Sequence, residues 1–287
     1  MSSRFNKPVA TIINAVLFWI LFLLLLVSTG VITAMLPQSL ARLGYGVLGT
    51  LAALLITWAF LKHRRETFGQ NGLRPVAGTL RRFVEGLVIG VVIFGLMLSV
   101  LLIFTDLRLQ EAKYPISVPA LIVCIAVFFL SLMEEIAFRG YPFTSLDRRY
   151  GLRITQVIVA TAFALYHFAG GQDILISFLG PGIWAFVFGL AAAWSGGIAK
   201  PLGIHVAMNL LQLFFGMKGD DGSLVKLDYE GVATTEQVAA TNQVGIIMQV
   251  SILVFAVMLM EYYLRKGSIR PLNTAGGQIG QDHKILR

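Results

Sequence analysis

Long apolar stretches separated by short polar segments dominate the chain. A stretch of about 20 residues is long enough to cross a bilayer core of roughly 30 Å as an α-helix. Eight such stretches lie near residues 8–36, 44–61, 83–105, 118–138, 153–170, 174–195, 198–216 and 242–264. The first follows basic residues, as in a signal peptide, but its apolar run continues past Val27 and is interpreted as a retained span. The pattern predicts an all-α, polytopic helical membrane protein.

The composition favours the same class. Of 287 residues, 56% are hydrophobic and only 13% are charged, which is outside the usual range for a soluble globular protein. The single cysteine, Cys124, excludes a disulfide within the chain and lies in an apolar run, where we expect it to pack. The formal charge of +8 would suggest a nucleic-acid partner in a soluble protein. Here the basic residues fall in short loops, so we expect the lipid bilayer as a partner and no nucleic acid.

The basic residues are distributed unevenly between alternate loops. Most of the 23 Lys and Arg residues fall on the side of the two termini, and those on the other side are Arg42, Arg108, Lys113, Lys218 and Lys226. The longest loop on that other side, 217–241, is net acidic. The positive-inside rule therefore places both termini in the cytoplasm, which agrees with an even number of spans. The expected location is a bacterial plasma membrane.

The fourth span carries an unusual cluster of charges. Glu134 and Glu135 are adjacent, and Arg139 follows Glu135 at i,i+4 spacing, so that these two can pair along one side of a helix. A carboxylate in hydrocarbon costs about 3 kcal/mol even on lenient insertion scales, which favours a functional role for it. The alternative is a structural ion pair that neutralises itself.

Two further spans carry polar residues at the same spacing. Phe163 and His167 lie on the fifth span, and His205 and Asn209 lie on the seventh. Alone, each pair could serve packing or a hydrogen bond between helices, worth about 1 kcal/mol. Two carboxylates, two imidazoles and a carboxamide on three spans have most reason to coexist around one polar cavity. We therefore expect one intramembrane site.

Together the three motifs resemble those of a known family. Glu-Glu-x-x-x-Arg at 134–139, Phe-x-x-x-His at 163–167 and His-x-x-x-Asn at 205–209 look like the motifs of the CPBP family of intramembrane proteases. The Phe-Arg-Gly-Tyr continuation at 138–141 is also similar. That family includes the CAAX prenyl endopeptidases and bacterial proteins linked to bacteriocin processing and self-immunity. The resemblance implies an endopeptidase that acts on membrane-associated or prenylated polypeptides.

The resemblance also divides the chain. Its core would occupy 118–216, after transmembrane helices in 1–117. An extracytoplasmic loop at 217–241 and a segment of 242–287, containing the last transmembrane helix and a cytoplasmic tail, would follow. Only the core carries the family motifs, and the remaining spans are merely compatible with them.

The expected chemistry is hydrolysis of a peptide bond by an activated water. Glu134, in a low-dielectric region beside a second carboxylate, is suited to take a proton from water and return it to the leaving amine. Arg139 would hold Glu135 ionised and fixed, so that the two carboxylates do not share one role. His167 would orient the same water.

The other polar groups leave two mechanisms open. His205 and Asn209 could donate hydrogen bonds to the oxyanion of the tetrahedral intermediate, each worth about 3 kcal/mol. Alternatively, Glu134, His167 and His205 are acceptable ligands for Zn²⁺, with a fourth position left for water. The sequence lacks His-Glu-x-x-His, the arrangement in which one helical turn supplies two zinc ligands. We lean towards a water activated by the carboxylate without metal, with zinc as the alternative.

Helix geometry sets a condition on such a site. At 1.5 Å per residue, Glu134 would lie only about 6 Å from the membrane face if its helix ended at Phe138, whereas His167 would lie about 21 Å deep. We therefore predict that the fourth span continues to about Asp147, with a kink near Pro142 and with the arginine of the motif inside the protein. Breaks are predicted where glycine and proline cluster, at 180–182 and at Gly196, Gly197 and Pro201.

Two other functions use the same residues. A non-catalytic scaffold or immunity factor would keep the motifs for stability while binding a partner membrane protein. A proton-coupled transporter would use the Glu and His residues as a proton relay, although the chain shows no repeat between its halves. The substrate of a protease would be a peptide or membrane protein that is already at the bilayer.

Overall fold

A computed structural model describes residues 8–112, 118–218 and 223–267. The helices in this part of the chain are α1 (Pro8–Thr33), α2 (Gln38–Arg64), α3 (Thr79–Phe104), α4 (Val118–Arg139), α5 (Tyr141–Tyr150), α6 (Leu152–Ala169), α7 (Ile174–Ser177), α8 (Ile183–Ser195), α9 (Ala199–Phe214) and α10 (Thr235–Arg265). The strands are β1 (Leu107–Glu111) and β2 (Val225–Tyr229). A 3-10 turn, Gly69–Asn71, precedes α3, and a π turn, Phe178–Gly182, joins α7 to α8.

Seven helical segments among the described residues are long and apolar enough to cross a membrane: Val9–Thr33, Leu40–Arg64, Thr79–Phe104, Ala120–Tyr150, Leu152–Ala169, Ile174–Ser195 and Thr235–Arg265. They coincide with seven of the predicted spans and confirm an all-α, polytopic membrane fold. The remaining predicted span, 198–216, is α9, which has 16 residues. All residues from 200 to 208 are buried, so this helix is surrounded mainly by protein rather than lipid.

The two strands show that α3 and α9 end on the same side of the membrane. β1 follows α3, β2 follows α9, and the strands pair antiparallel from Leu107↔Tyr229 to Glu111↔Val225. Counted with α9, the helices alternate in direction, so that the described chain begins and ends on one side. The cytoplasmic location of that side stays a prediction, and several residues used for it lie outside the described part of the chain, namely Arg4, Lys7, Lys113, Arg270, Lys284 and Arg287.

The small sheet was not predicted from the sequence, although the fold remains all-α in class. Each strand has five residues, which is too short for a clear periodic signal, and the two lie far apart along the chain. Pairing of Arg108 with Asp228 brings opposite charges together across the strands.

β2 lies within the predicted loop 217–241, and α10 begins inside that same loop, earlier than expected. A capping box formed by Thr234 and Gln237 fixes this start.

The fourth span extends beyond Arg139, as predicted. α4 ends at Arg139, and after Gly140 the chain continues as α5, so that 120–150 form one long apolar segment. The break falls at Gly140, where an added Cβ would clash with the backbone oxygen of Ile136 in the preceding turn. Pro142 does not cause it, since this proline lies in the first turn of α5, where proline is tolerated. Arg139 is only 1% exposed and lies inside the protein, as expected.

Aromatic rings from three helices pack around the end of α4. Phe138 contacts Trp19 of α1 and Phe163 of α6, with ring centres 5.8 Å and 4.9 Å away. Trp19 also donates a hydrogen bond from its indole nitrogen to the backbone oxygen of Ala137, at 3.2 Å. This buried cluster holds the charged end of α4 in a fixed position.

The loop between α2 and α3 connects α5 with the start of α9. Glu66 Oε2 lies 2.6 Å from Nη2 of Arg148 on α5 and accepts a hydrogen bond from Asn71 at 3.1 Å. The backbone N–H of Ile198, just before α9, donates to the backbone oxygen of Gly72 at 3.2 Å. Burial alone would raise the pKa of Glu66, but Arg148 and Asn71 outweigh burial and hold that pKa below its usual value. The loop therefore carries a paired, ionised carboxylate.

Glycines allow α3 and α9 to approach closely. A Cβ at Gly86 of α3 would clash with the backbone oxygen of Lys200, and one at Gly203 of α9 would clash with that of Phe83. Small residues of this kind let helix backbones touch within a membrane. The contact fixes α9 at the level at which it carries His205.

We expect Gly203→Ala to lower the melting temperature of the purified protein by several degrees. The added methyl group would push against the backbone of α3, and overpacking of this kind costs about 1–3 kcal/mol. Gly95→Ala is the matched control, because Gly95 also lies on α3 and a Cβ added there would meet nothing within 4 Å. Thermal unfolding in detergent measures both variants, and equal melting temperatures would contradict the close contact.

Candidate active site

The structure brings the acidic motif of α4 and the imidazole of α9 together. His205 Nδ1 lies 2.8 Å from Glu135 Oε1. The same carboxylate oxygen lies 3.5 Å from Nη1 of Arg139, one helical turn further along α4. The side chains of Glu135 and Arg139 are fully buried, and that of His205 is 8% exposed. Two of the three predicted motifs therefore form one buried electrostatic unit.

Glu134 lies on the opposite edge of the same imidazole. Its Oε2 is 3.5 Å from His205 Nε2, and its Oε1 accepts a hydrogen bond from the hydroxyl of Tyr166 at 3.4 Å. The side chain of Glu134 is 13% exposed, whereas that of Glu135 has no exposed surface. The two carboxylates thus differ in environment: one is enclosed and paired, and the other is accessible.

Arg139 is held by aromatic rings as well as by Glu135. Its guanidinium carbon lies 4.5 Å from the ring centre of Phe163 and 5.1 Å from that of Phe188. Attraction between a cation and the face of an aromatic ring offsets part of the cost of burying the charge. Within the described residues, no hydrogen-bond partner reaches the guanidinium nitrogens of Arg139 or Oε2 of Glu135. Buried polar groups of this kind are natural positions for water or a polar ligand.

Phe188 orients the imidazole of His205. The two rings are stacked, with centres 4.5 Å apart and an angle of 15° between their planes. Phe188 lies on α8, beyond the π turn that spans Gly180, Pro181 and Gly182, so the predicted break in the sixth span is present.

The predicted irregular stretch before α9 is a turn, in which Gly196 has the positive φ of 72° that favours glycine. Pro201 lies within the first turn of α9, where proline is tolerated.

His167 lies beside this unit and contacts it through an aromatic ring. Its Nδ1 lies 2.9 Å from the backbone oxygen of Phe163, one turn earlier on α6. Its ring contacts the edge of Phe163 at 4.6 Å, and Phe163 in turn lies 6.5 Å from the ring of His205. Phe163 therefore separates and aligns the two imidazoles, a role that its spacing from His167 alone did not indicate.

Asn209 is fixed at both ends of its amide. Its Nδ2 donates to the hydroxyl of Ser131 on α4 at 3.2 Å, and its Oδ1 accepts from Lys218 Nζ at 2.5 Å. An ammonium can only donate, so the contact with Lys218 identifies the oxygen of the amide and leaves the nitrogen towards Ser131 on α4. Ser131 lies three residues before Glu134 and could have been found from helical periodicity. Lys218 carried no such signal, since the sequence places it in an extracytoplasmic loop.

Lys218 is also electrostatically coupled to the site. Burial of its ammonium lowers the pKa of Lys218 to about 8, an effect that Glu134 opposes and Arg42 reinforces. Because the amine loses its charge as the pH rises through that value, its contribution to the site is sensitive to mildly alkaline conditions. Lys218 is nevertheless exposed along part of its length, so solvent moderates these interactions.

The fit of a metal ion can be judged from the donor set. In the part of the chain that the structure describes, no group of three or more His, Cys, Asp or Glu side chains is arranged to hold a metal ion. The imidazole of His205 lies between two carboxylates, with each ring nitrogen near a different one. This arrangement does not supply a ready zinc site. Zinc ligation by Glu134, His167 and His205 stays a prediction that requires a different arrangement of these side chains.

The fold and the site define a polytopic membrane protein with a buried cluster of glutamate, histidine and arginine. Residues 116–211 match the family model described as type II CAAX prenyl endopeptidase Rce1-like. This match confirms the resemblance of that segment to the CPBP family of CAAX-type proteases that the three motifs indicated. The segment contains every predicted site residue but not Lys218. No curated protein matches the chain.

Proposed function

We propose that this protein is an intramembrane endopeptidase that cleaves a membrane-associated or prenylated polypeptide with a water activated by Glu134. The observation that carries the proposal is the position of Glu134 and Glu135 on either side of His205, at 3.5 Å and 2.8 Å. A family match to CAAX-type proteases supports the reaction class. The division of labour between the two carboxylates follows from their surroundings.

Glu135 has a positioning role in this proposal. Its Oε1 is shared between Arg139 and His205 Nδ1, so it fixes the ring and the tautomer of the histidine. The side chain of Glu135 also has no exposed surface, so water reaches it less readily than it reaches Glu134. The more accessible Glu134 has two long contacts, the hydrogen bond from Tyr166 at 3.4 Å and the approach of His205 Nε2 at 3.5 Å, which leave it able to act on water.

The proposed reaction proceeds through a tetrahedral intermediate. Glu134 removes a proton from water as the oxygen attacks the scissile carbonyl carbon, and the carbonyl oxygen becomes an oxyanion. Asn209 Nδ2, and His205 when its Nε2 is protonated, donate hydrogen bonds to that oxyanion. Glu134 then returns the proton to the amine as the carbon–nitrogen bond breaks. His167 would orient the water from α6.

The proposed setting is a bacterial plasma membrane with both termini in the cytoplasm, as the distribution of basic residues favours. The substrate is a peptide or membrane protein already at the bilayer, because the site lies among membrane-spanning helices. If Glu134 variants kept full biological function, a scaffold or immunity factor would explain the motifs better.

Glu134→Gln should leave a folded protein with peptide hydrolysis reduced at least about 100-fold, because the amide cannot accept the proton from water. Comparative mass spectrometry of membrane peptides from cells expressing either form would identify both the substrate and the loss. Glu236→Gln, an exposed change of the same kind at the start of α10, should behave as wild type. Wild-type turnover by Glu134→Gln would remove this residue from the mechanism.

Metal dependence is tested on the active, purified protein. We expect elemental analysis to find less than stoichiometric zinc, and a membrane-permeant chelator to leave activity unchanged, since the described residues assemble no three-ligand donor set. Loss of activity with chelator, followed by rescue with Zn²⁺, would instead support ligation by the glutamate and the two histidines.

Lys218→Met should lower kcat about tenfold with little change in KM, because Asn209 would lose the partner that orients its amide. Lys218→Arg provides the informative comparison. With its charge retained at all accessible pH values, the arginine variant should lose less activity between about pH 7 and pH 9 than wild type, whose Lys218 has a pKa of about 8. Identical pH profiles would exclude this positioning role.

A further inference from the structure

A groove on the outer surface lies apart from the active site. It has a volume of about 690 Å³ and follows one face of the first turns of α3, with Trp194 of α8 and Lys200 of α9 as its other wall. Leu80, Val84 and Val88 line the apolar part, and they are between 46% and 74% exposed. In a membrane protein, side chains exposed on such a helix face the lipid.

The position of the groove spans the edge of the membrane. It is formed by the beginning of α3, the end of α8 and the beginning of α9. One end of the groove therefore lies at these helix termini, and we call it the upper end. From there, Val84 and Val88 continue towards the membrane interior. Trp194 stacks on Tyr263 near the end of α10, with ring centres 5.4 Å apart. Aromatic residues of this type are enriched where the bilayer meets water.

The upper end of the groove is positively charged. Glu85 Oε2 lies 2.8 Å from Lys200 Nζ, and Glu85 Oε1 lies 3.4 Å from Arg81 Nε. One carboxylate is thus shared by two cations, and Arg82 stands next to them in the sequence. The first turn of α3 contains no acidic residue. Positive charges near a helix N-terminus are unfavourable, and a bound anion would offset this cost.

Lys200 is held so that its charge faces the groove. The residue is only 8% exposed, and its Nζ lies 4.3 Å from the ring centre of Trp194. The ion pair with Glu85 and the contact with the indole fix the ammonium at the wall of the groove rather than letting it extend into water. An ammonium has three donors, so the pair with Glu85 leaves capacity for another acceptor.

We propose that this groove binds an anionic phospholipid of the adjacent leaflet. The phosphate would accept hydrogen bonds from Arg81 and Lys200 at donors that Glu85 does not use, and an acyl chain would follow Val84 and Val88 into the membrane. Basic pockets between transmembrane helices have this chemistry of lipid recognition. A zwitterionic lipid fits the apolar part equally well but gains less from the net positive charge. Bound lipid would stabilise the contact between α3 and α9.

The test compares lipid binding to the full-length purified protein. Phosphatidylglycerol and phosphatidylcholine with identical acyl chains are titrated onto delipidated protein, and retained lipid is counted by native mass spectrometry. We expect tighter binding of phosphatidylglycerol by wild type. Arg81→Gln should reduce this preference about fivefold, the factor expected for one basic residue near a lipid headgroup. Arg149→Gln removes an exposed charge elsewhere and should leave the preference unchanged.

A second variant tests the apolar part without altering charge. Val84→Trp should fill the groove and weaken binding of both lipids, while the elution profile and the thermal unfolding in detergent report on its folding. Equal binding of the two lipids by wild type would overturn the proposal. So would the same effect from Arg81→Gln and Arg149→Gln, or dimerisation of the protein through this face.

Discussion

A buried ionic contact is the constraint on which the rest of this structure depends. Glu135 and Arg139 have no exposed side-chain surface, and either charge alone would be costly among membrane-spanning helices. They are tolerable because the carboxylate also meets His205 and the guanidinium lies against Phe163 and Phe188. The sequence motifs on α4, α6 and α9 are therefore parts of one arrangement. Removing Glu135 or Arg139 would leave the other charge without its ionic partner.

The backbone brings these partners to the same level of the membrane. α9 begins at Ala199, only six residues before His205. If each helix were considered alone, the imidazole would lie nearer the membrane face than the carboxylates of α4 do. Nevertheless His205 meets both carboxylates, because α9 does not lie at the lipid surface but is packed closely on α3 inside the protein. The π turn in the sixth span then leads into α8, which carries Phe188 against the imidazole. The irregular backbone of this π turn is thus followed by the helix that packs against the buried cluster.

Much of this could be predicted from the sequence, because bilayer thickness and the cost of buried charge are strong constraints. Apolar length located the spans, and i,i+4 spacing identified the polar faces that meet. The short strands were missed because their pairing depends on the positions of α3 and α9 rather than on local periodicity. Lys218 was missed for a related reason: a loop lysine shows no preference in sequence for the amide it contacts. The glycine break before α5 was assigned to the nearby proline, which the first turn of a helix accommodates.

The loop between α2 and α3 links the buried ionic cluster to the part of the protein outside the membrane-spanning helices. Glu66 and Asn71 of this loop accept hydrogen bonds from Arg148 on α5, the continuation of the helix that bears the carboxylates. The backbone oxygen of Gly72 accepts from Ile198, the residue that precedes α9. The helix that continues the acidic motif and the start of the helix that carries His205 are thus both anchored to one loop outside the membrane-spanning helices. A change at this loop would therefore reach the buried cluster from outside the bilayer, through the two helices that the loop joins.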